Sequence, residues 1–160
     1  MLNAMLVADL MTLKSARVPT IRMTETVEMA ATLLNRERIG AVVVKDACGS
    51  EGDTVVGIFS ERDLVRAIAD RGIASLRAPV AELMSRNMIS CAMQDTVDHV
   101  RALMDEHHVR HLPVLQDHQL VGVLSIRDVL AHDVRLAARA AAALGSVAGG
   151  MQAPAPSLPS

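Results

Sequence analysis

The stretch V-V-G-I-F-S-E-R-D-L-V, Val55 to Val65, decides the reading of this chain, because it returns as L-V-G-V-L-S-I-R-D-V-L, Leu120 to Leu130. In both places an apolar run leads to a serine with an aspartate three residues on: Ser60 and Asp63, then Ser125 and Asp128. A hydroxyl residue followed three positions later by an acid is a capping-box arrangement that opens a helix. Each stretch therefore reads as a strand, ending at Gly57 or Gly122, followed by a helix. A motif that occurs twice calls for a search for a period before any element is assigned.

Working outward, the search succeeds. V-A-D-L-M at Val7 to Met11 recurs as V-A-E-L-M at Val80 to Met84, an offset of 73. Thr26 to Val44 recurs loosely as Thr96 to Val114 at an offset of 70, and the opening stretch recurs at 65. The offset shrinks in steps, so the copies differ by short loop insertions and not by reordered elements.

Each copy has an extended segment (Val18 to Ile21; Met88 to Cys91), then an amphipathic helix. Val27, Ala30, Ala31 and Leu34 share one face of that helix in the first copy, and Val97, Val100, Leu103 and Met104 in the second. Thr26 and Thr96 stand at the N-cap positions. A buried strand follows (Ala41 to Val44; Leu112 to Leu115), then a hairpin turn, D-A-C-G-S-E-G-D or Q-D-H-Q, so the next strand runs antiparallel. The result is an α+β fold, a tandem β-α-β-β-α repeat, with copies at 7–75 and 76–135. Residues 136–160 read as an Ala-rich helical extension and a Pro/Gly/Ser-rich tail whose composition predicts disorder.

Composition narrows the function. The 160 residues are 51% hydrophobic, with no Trp, no Tyr and one Phe, and the net charge is −2. Single-stranded nucleic-acid binders draw roughly 1–3 kcal/mol per base from aromatic platforms, which one Phe cannot furnish, and the net charge gives no electrostatic footprint for a polyanion, so nucleic acid is not an expected partner. The densest apolar run, Ile39 to Val44, falls far short of the about 20 residues a membrane span needs. The N-terminal stretch has no basic region ahead of its apolar residues, and Asp9 interrupts them, so a secretory signal is not expected. Cys48 and Cys91 lack CxxC or Cys/His spacing and read as free thiols of a reducing compartment. The expectation is a cytoplasmic protein.

The ordered motifs V-A-D-L-M, G-I-F-S-E-R-D, V-A-E-L-M, R-H-L-P-V and G-V-L-S-I-R-D resemble the cystathionine-β-synthase (CBS) domain pair, or Bateman module, over Val7 to Asp133, most of all its small stand-alone bacterial members. The resemblance implies two repeats packed as a pseudo-twofold pair, with clefts that take adenosine-containing ligands such as AMP, ATP, NAD or S-adenosylmethionine. It implies that Asp63 and Asp128 accept hydrogen bonds from ribose hydroxyls, that Ser60 and Ser125 reach ribose or phosphate, and that Thr20 and Ser90 lie near the base. It also implies that Ile39, Ala41 and Val42, or Val109, His111 and Leu112, wall the adenine, with Pro113 a further ligand-binding position. Arg62, Arg127 and Arg110 with His111 are the candidate phosphate groups, since a guanidinium presents a planar fork of donors. Two departures stand out. The first copy reads I-G-A-V-V-V where the second has V-R-H-L-P-V, so the two sites are expected to differ, and Arg127 stands where a small residue is often found in related proteins.

Plainer readings exist for each group. The Ser/Asp pairs are also sufficient as helix caps, worth about 1 kcal/mol each. His107, His108 and His111 offer an i, i+4 pair, but Arg110 to Pro113 should already have left the helix, so they read as surface histidines and not as a metal site. No P-loop, metal-ligand cluster or nucleophile–base pair points to an enzyme. The expectation is a non-catalytic, homodimeric adenine-nucleotide sensor acting on an unidentified downstream target. The alternative is a ligand-free dimerisation scaffold with empty or plugged clefts.

Overall fold

A computed structural model describes residues 4–14, 17–46 and 54–148. The first-copy turn with Cys48 and the Pro/Gly/Ser-rich tail lie outside the described residues. The chain divides into two compact units, Met1–Ile126 and Arg127–Ser160.

The first unit opens with helix α1 (Val7–Met11), then β1 (Thr20–Arg22), α2 (Val27–Glu37), β2 (Ala41–Asp46), β3 (Thr54–Ser60) and α3 (Glu61–Arg71). Two short 3-10 turns, Ile73–Arg77 and Val80–Glu82, lead to β4 (Cys91–Ala92), α4 (Val97–His107), β5 (His111–Gln116) and β6 (Gln119–Ser125). Helix α5 (Ile126–Ala148) begins where β6 ends. The helix is 23 residues long and, from Arg127 on, makes up the described part of the second unit, with Leu130, Val134, Leu136 and Leu144 exposed along it.

Two three-stranded sheets result, ordered β1-β2-β3 and β4-β5-β6. In each, the short first strand pairs parallel with the second, and the second pairs antiparallel with the third. Both hairpins slip register at equivalent points, between Val44 and Lys45 and between Val114 and Leu115. The second hairpin turns on Asp117 and His118, both at positive φ (49° and 63°), the conformation a two-residue hairpin loop demands. The caps expected at Thr26, Thr96 and Ser60 are in place: each hydroxyl accepts the backbone N–H three residues on, from Met29, His99 and Asp63.

Two local expectations need correction. The leading extended segments are shorter and later than their composition suggests, since only Thr20–Arg22 and Cys91–Ala92 find a strand partner. The outer strands do not stop at Gly57 and Gly122 but run on to Ser60 and Ser125. The glycines serve close approach within a strand: a Cβ on Gly57 would lie 2.7 Å from the Met84 sulfur and 2.7 Å from the Ser85 carbonyl oxygen, and one on Gly122 would run into Met11.

Those methionines belong to the two Val-Ala-x-Leu-Met motifs, and each motif serves the opposite copy. The Val7 and Ala8 N–H groups donate to the Asp95 and Met93 carbonyls (2.8 and 2.9 Å), and Val97 N–H donates to the Met5 carbonyl (2.9 Å). At equivalent positions the Val80 and Ala81 N–H groups donate to Glu25 and Met23 (2.8 and 3.1 Å), and Val27 N–H donates to Ala78 (2.9 Å). The sequence copies therefore interlock. Val80 and Met84 complete a core of Ile21, Val27, Ala30, Leu34, Val42, Val44 and Phe59, while Val7 and Leu10 are buried in their turn.

Candidate functional site

The strand-to-helix junction at Ser60 lies at the edge of a cleft of about 390 Å³, within the about 300–1,000 Å³ usual for small-molecule sites. Three pieces of chain line it. The first copy supplies Gly40, Ala41, Ile58 and the first turn of α3 with Ser60, Glu61, Arg62, Asp63 and Arg66. The linker supplies Ser85, Asn87, Met88 and Ile89, and the end of α4 and start of β5 supply His107, His108, Val109, Arg110, His111 and Pro113.

Local folding explains why the α3 side chains are available. Asp63 Oδ2 accepts the Ser60 N–H at 2.8 Å and lies 2.9 Å from the Ser60 hydroxyl, closing the capping box. Asp63 Oδ1 makes no hydrogen bond among the described residues, and a carboxylate oxygen can accept two. Cap and diol acceptor are thus compatible roles for one side chain, divided between its two oxygens. Behind it, the Glu61 and Asp63 N–H groups are already donated, to the Gly40 carbonyl and the Ser60 hydroxyl, so what the first turn of α3 adds is mainly the positive end of the helix dipole, which favours an anion. Arg62, Arg66 and Arg110 form no ion pair among the described residues, unlike Arg17, Arg36, Arg71 and Arg101.

The departure of I-G-A from V-R-H now has a steric reason. A Cβ on Gly40 would sit 2.8 Å from His111 Nε2, so the imidazole of the second copy occupies the space that a side chain at position 40 would take. Where the first copy has small Gly40 and Ala41, the second has Arg110 and His111, and both pairs line this cleft.

Of the candidate residues, Ser60, Arg62, Asp63, Ala41, Val109, Arg110, His111 and Pro113 line the cleft together. Val42 and Leu112 do not, which corrects their assignment as adenine walls: strand alternation turns them into the core, where both are fully buried. Ile39 packs against the core cluster of the first copy and is absent from the lining. Thr20 stands in β1 opposite Val43, and neither it nor half-buried Ser90 lines the cleft. Ser125 closes β6, and Arg127 and Asp128 belong to the first turn of α5.

Sequence reasoning missed Arg66, Asn87, Met88, Ile89, His107 and His108. Arg66 sits one helical turn beyond Arg62, at an i, i+4 spacing that signals a shared face. The histidines were legible only through the α4–β5 corner. His108 caps α4 in the left-handed conformation (φ 53°, ψ 38°), as Arg38 caps α2 (φ 53°, ψ 45°). Glycine is the residue usually found at that position.

The copies are not equivalent along their outer strands. Ile58 exchanges two backbone hydrogen bonds with Ser85 (3.0 and 2.9 Å), whereas the carbonyl of its counterpart Val123 accepts the Lys14 ammonium at 2.7 Å. Cys91 is buried with its thiol 3.8 Å from the Pro113 carbonyl oxygen, and desolvation, with the Asp95 charge as a lesser cause, pushes its pKa up to about 12. It is a packing residue and not a nucleophile. Among the described residues, no group of three or more His, Cys, Asp or Glu is gathered as for a metal ion. No helix among them is long and apolar enough to cross a membrane.

Comparison with known proteins agrees with this architecture. The model of the CBS domain matches twice, at residues 7–70 and 80–135. The CBS-domain containing protein ATU1752 from Agrobacterium tumefaciens is similar in structure, with 40% identity and a TM-score of 0.74 over 79% of this chain and 92% of that one. The CBS domain pair of protein MJ0100, solved with 5′-methylthioadenosine and S-adenosyl-L-methionine, is 26% identical with a TM-score of 0.67 over 79% and 93% of the two chains. Among curated sequences, the CBS domain-containing protein YhcV of Bacillus subtilis is 28% identical over 77% of this chain and 81% of its own. With two matched domains, two equivalent sheets and a cleft at the junction between copies, this chain belongs to the CBS domain family, whose paired domains are regulatory modules.

Proposed function

We propose that the chain is a non-catalytic sensor that binds an adenosine-containing ligand, AMP, ATP or NAD in type, in the cleft at Asp63, and that it works as a homodimer in the cytoplasm. The observation that carries this reading is the division of labour at Asp63. One carboxylate oxygen holds the helix cap, the other has no partner among the described residues, and Asp63 lines a cleft of ligand size together with Arg62, Arg66 and Arg110. A vicinal diol donates two hydrogen bonds, which that oxygen can accept, while the arginines suit phosphate. The adenosyl ligands held by the CBS pair of MJ0100 support the same ligand class. With no Trp or Tyr in the chain, base recognition rests on shape and backbone groups around Ala41, Ile58, Ile89, Val109 and Pro113. Asp128, Ser125 and Arg127 are the corresponding groups of the second copy, and Thr20 and Ser90 remain proposed base-proximal hydroxyls of the two copies.

A ligand moves such a module only by binding one arrangement of the copies better than another. The test is a thermal-shift panel of AMP, ATP, NAD and S-adenosylmethionine. A ligand at 100 times its Kd adds about 2.7 kcal/mol, a rise of about 5–10 °C for a domain of this size. Asp63→Ala should remove the rise for a ligand in this cleft. Flat curves for all four at millimolar concentration reject the sensor reading and leave Ser60 and Asp63 as helix caps in a scaffold.

A further inference from the structure

The two Val-Ala-x-Leu-Met motifs diverge just past their methionines. After the second, which forms only a three-residue 3-10 turn at Val80–Glu82, Ser85 lies beside the outer strand of the first copy and its N–H donates to the Ile58 carbonyl at 2.9 Å. After the first, Thr12 holds the position of Ser85, but it is drawn into the end of the five-residue helix α1. Its N–H donates to the Ala8 carbonyl (3.3 Å) and its hydroxyl to the Asp9 carbonyl (2.7 Å). Val123, the counterpart of Ile58 at the offset of 65, therefore receives no backbone donor from the described residues of that segment.

A backbone carbonyl shielded from water needs a donor, and Lys14 supplies it. The Lys14 ammonium donates to the Val123 carbonyl oxygen at 2.7 Å, in a part-buried contact between residues 109 apart in the chain. Lys14 stands three residues beyond its motif, as Asn87 stands three residues beyond the other. Ile58 and Asn87, the counterparts of Val123 and Lys14, both line the open cleft of the first copy. There the Asn87 amide makes no hydrogen bond among the described residues, so its polar atoms face the cleft uncommitted. In the second copy the equivalent position carries a cation tied to the strand, and a charge-assisted hydrogen bond is roughly twice as strong as a neutral one. Lysine suits the task, because its compact charge sits on a flexible four-carbon stem that can reach a single carbonyl from a neighbouring segment.

We propose that Lys14 is the internal occupant of the second copy's ligand site. Its ammonium fills the space beside Val123 that corresponds to the open cleft wall at Ile58, so a repeat that would otherwise offer two sites accepts one ligand per chain, beside Asp63. A ligand entering the second site must break the bond from Lys14 to Val123, and removing the ammonium opens the site. The inference rests on the adenosine-ligand reading for the class of ligand, but not on occupancy of the Asp63 cleft.

Equilibrium dialysis of the full chain against AMP, ATP, NAD and S-adenosylmethionine, each at millimolar concentration, counts the ligands bound per chain. The unaltered chain should bind one and Lys14→Ala two. Lys14→Asn, which puts the residue of the open cleft in this position, should also bind two, whereas Lys14→Arg, which keeps a long cationic donor, should stay at one. Combined with Asp63→Ala, Lys14→Ala should bind one, and Asp128→Ala added to that pair should remove it, locating the gained site in the second copy. A circular dichroism melt of each variant verifies that it is folded.

One ligand on both Lys14→Ala and Lys14→Asn overturns the proposal, as do two on the unaltered chain or a gained site that survives Asp128→Ala. The two readings fail separately. Binding that appears only when Lys14 is replaced rejects the Asp63 site and keeps the occupant. Two ligands on the unaltered chain, one of them lost with Asp63→Ala, reject the occupant and keep the Asp63 site. No binding of the four by any variant rejects both.

Discussion

A single added methyl group at Gly57 would meet the Met84 sulfur and the Ser85 carbonyl oxygen, both at 2.7 Å. The sulfur can swing aside, but the carbonyl is held by its hydrogen bond from Ile58. Gly57→Ala should therefore cost about 1–3 kcal/mol, the usual range for overpacking, measured as a lower denaturation midpoint with an unchanged slope. The sequence marks this glycine as special, because it recurs 65 residues later, yet it reads locally as a strand end. Only the methionine from the opposite copy explains why it sits inside a strand. His111 teaches the same lesson. Its motif is visible, but its place against Gly40, at a Cβ distance of 2.8 Å, depends on a contact between the two copies. Ser60 and Asp63 lie at the other extreme, since their cap depends on residues three apart and was legible as soon as the motif was read.

At the scale of elements, α1 is too short to persist alone, as isolated helices below about 12–15 residues are marginal in water. Its order comes from the second copy, through the hydrogen bonds of Val7 and Ala8 to Asp95 and Met93 and through the burial of Val7 and Leu10. Leu10→Ala removes a side chain only 2% exposed and should destabilise the protein by about 2–5 kcal/mol. Neighbouring Leu13 is 61% exposed, and Leu13→Ala should change stability by less than about 0.5 kcal/mol. A urea titration of both variants makes the comparison. The strands show how far periodicity reaches. Alternation along A-V-V-V and H-L-P-V separates two faces, but both runs are apolar enough that nothing local says which face meets the cleft. The structure turns Ala41, His111 and Pro113 to the cleft and sends Val42 and Leu112 to the core, because the core side is closed by α2, α4 and the Val-Ala-x-Leu-Met segments.

For the molecule as a whole, interlocked copies should lose structure together. Each copy's leading motif completes the other's core, so neither half retains a full core once its partner opens. In a Cys48→Ser variant, Cys91 is the remaining thiol. Buried, and with its pKa pushed up to about 12, it should react with a thiol reagent only as the chain unfolds. Its exposure in urea should coincide with the loss of helical circular dichroism in a single transition. Two separated transitions would mean that the copies stand independently, contrary to the exchanged contacts. The raised thiol also fixes a direction with pH. Above the ordinary thiol range the unfolded chain loses this proton while the folded chain keeps it, so stability falls as pH rises from about 9 toward 12.

The sequence by itself determined the repeat, the order of elements, the helix caps and the family, because each rests on short-range spacing or on self-similarity that survives without coordinates. Tertiary structure decided which copy each leading motif serves, which strand residues face the cleft, and that His107 and His108 line one cleft with Arg62 and Arg66. Those side chains are more than 40 residues apart in the chain. Local propensity depends on neighbours within a turn or two, whereas the cleft is formed by the packing of one copy against the other, which no single window of sequence contains.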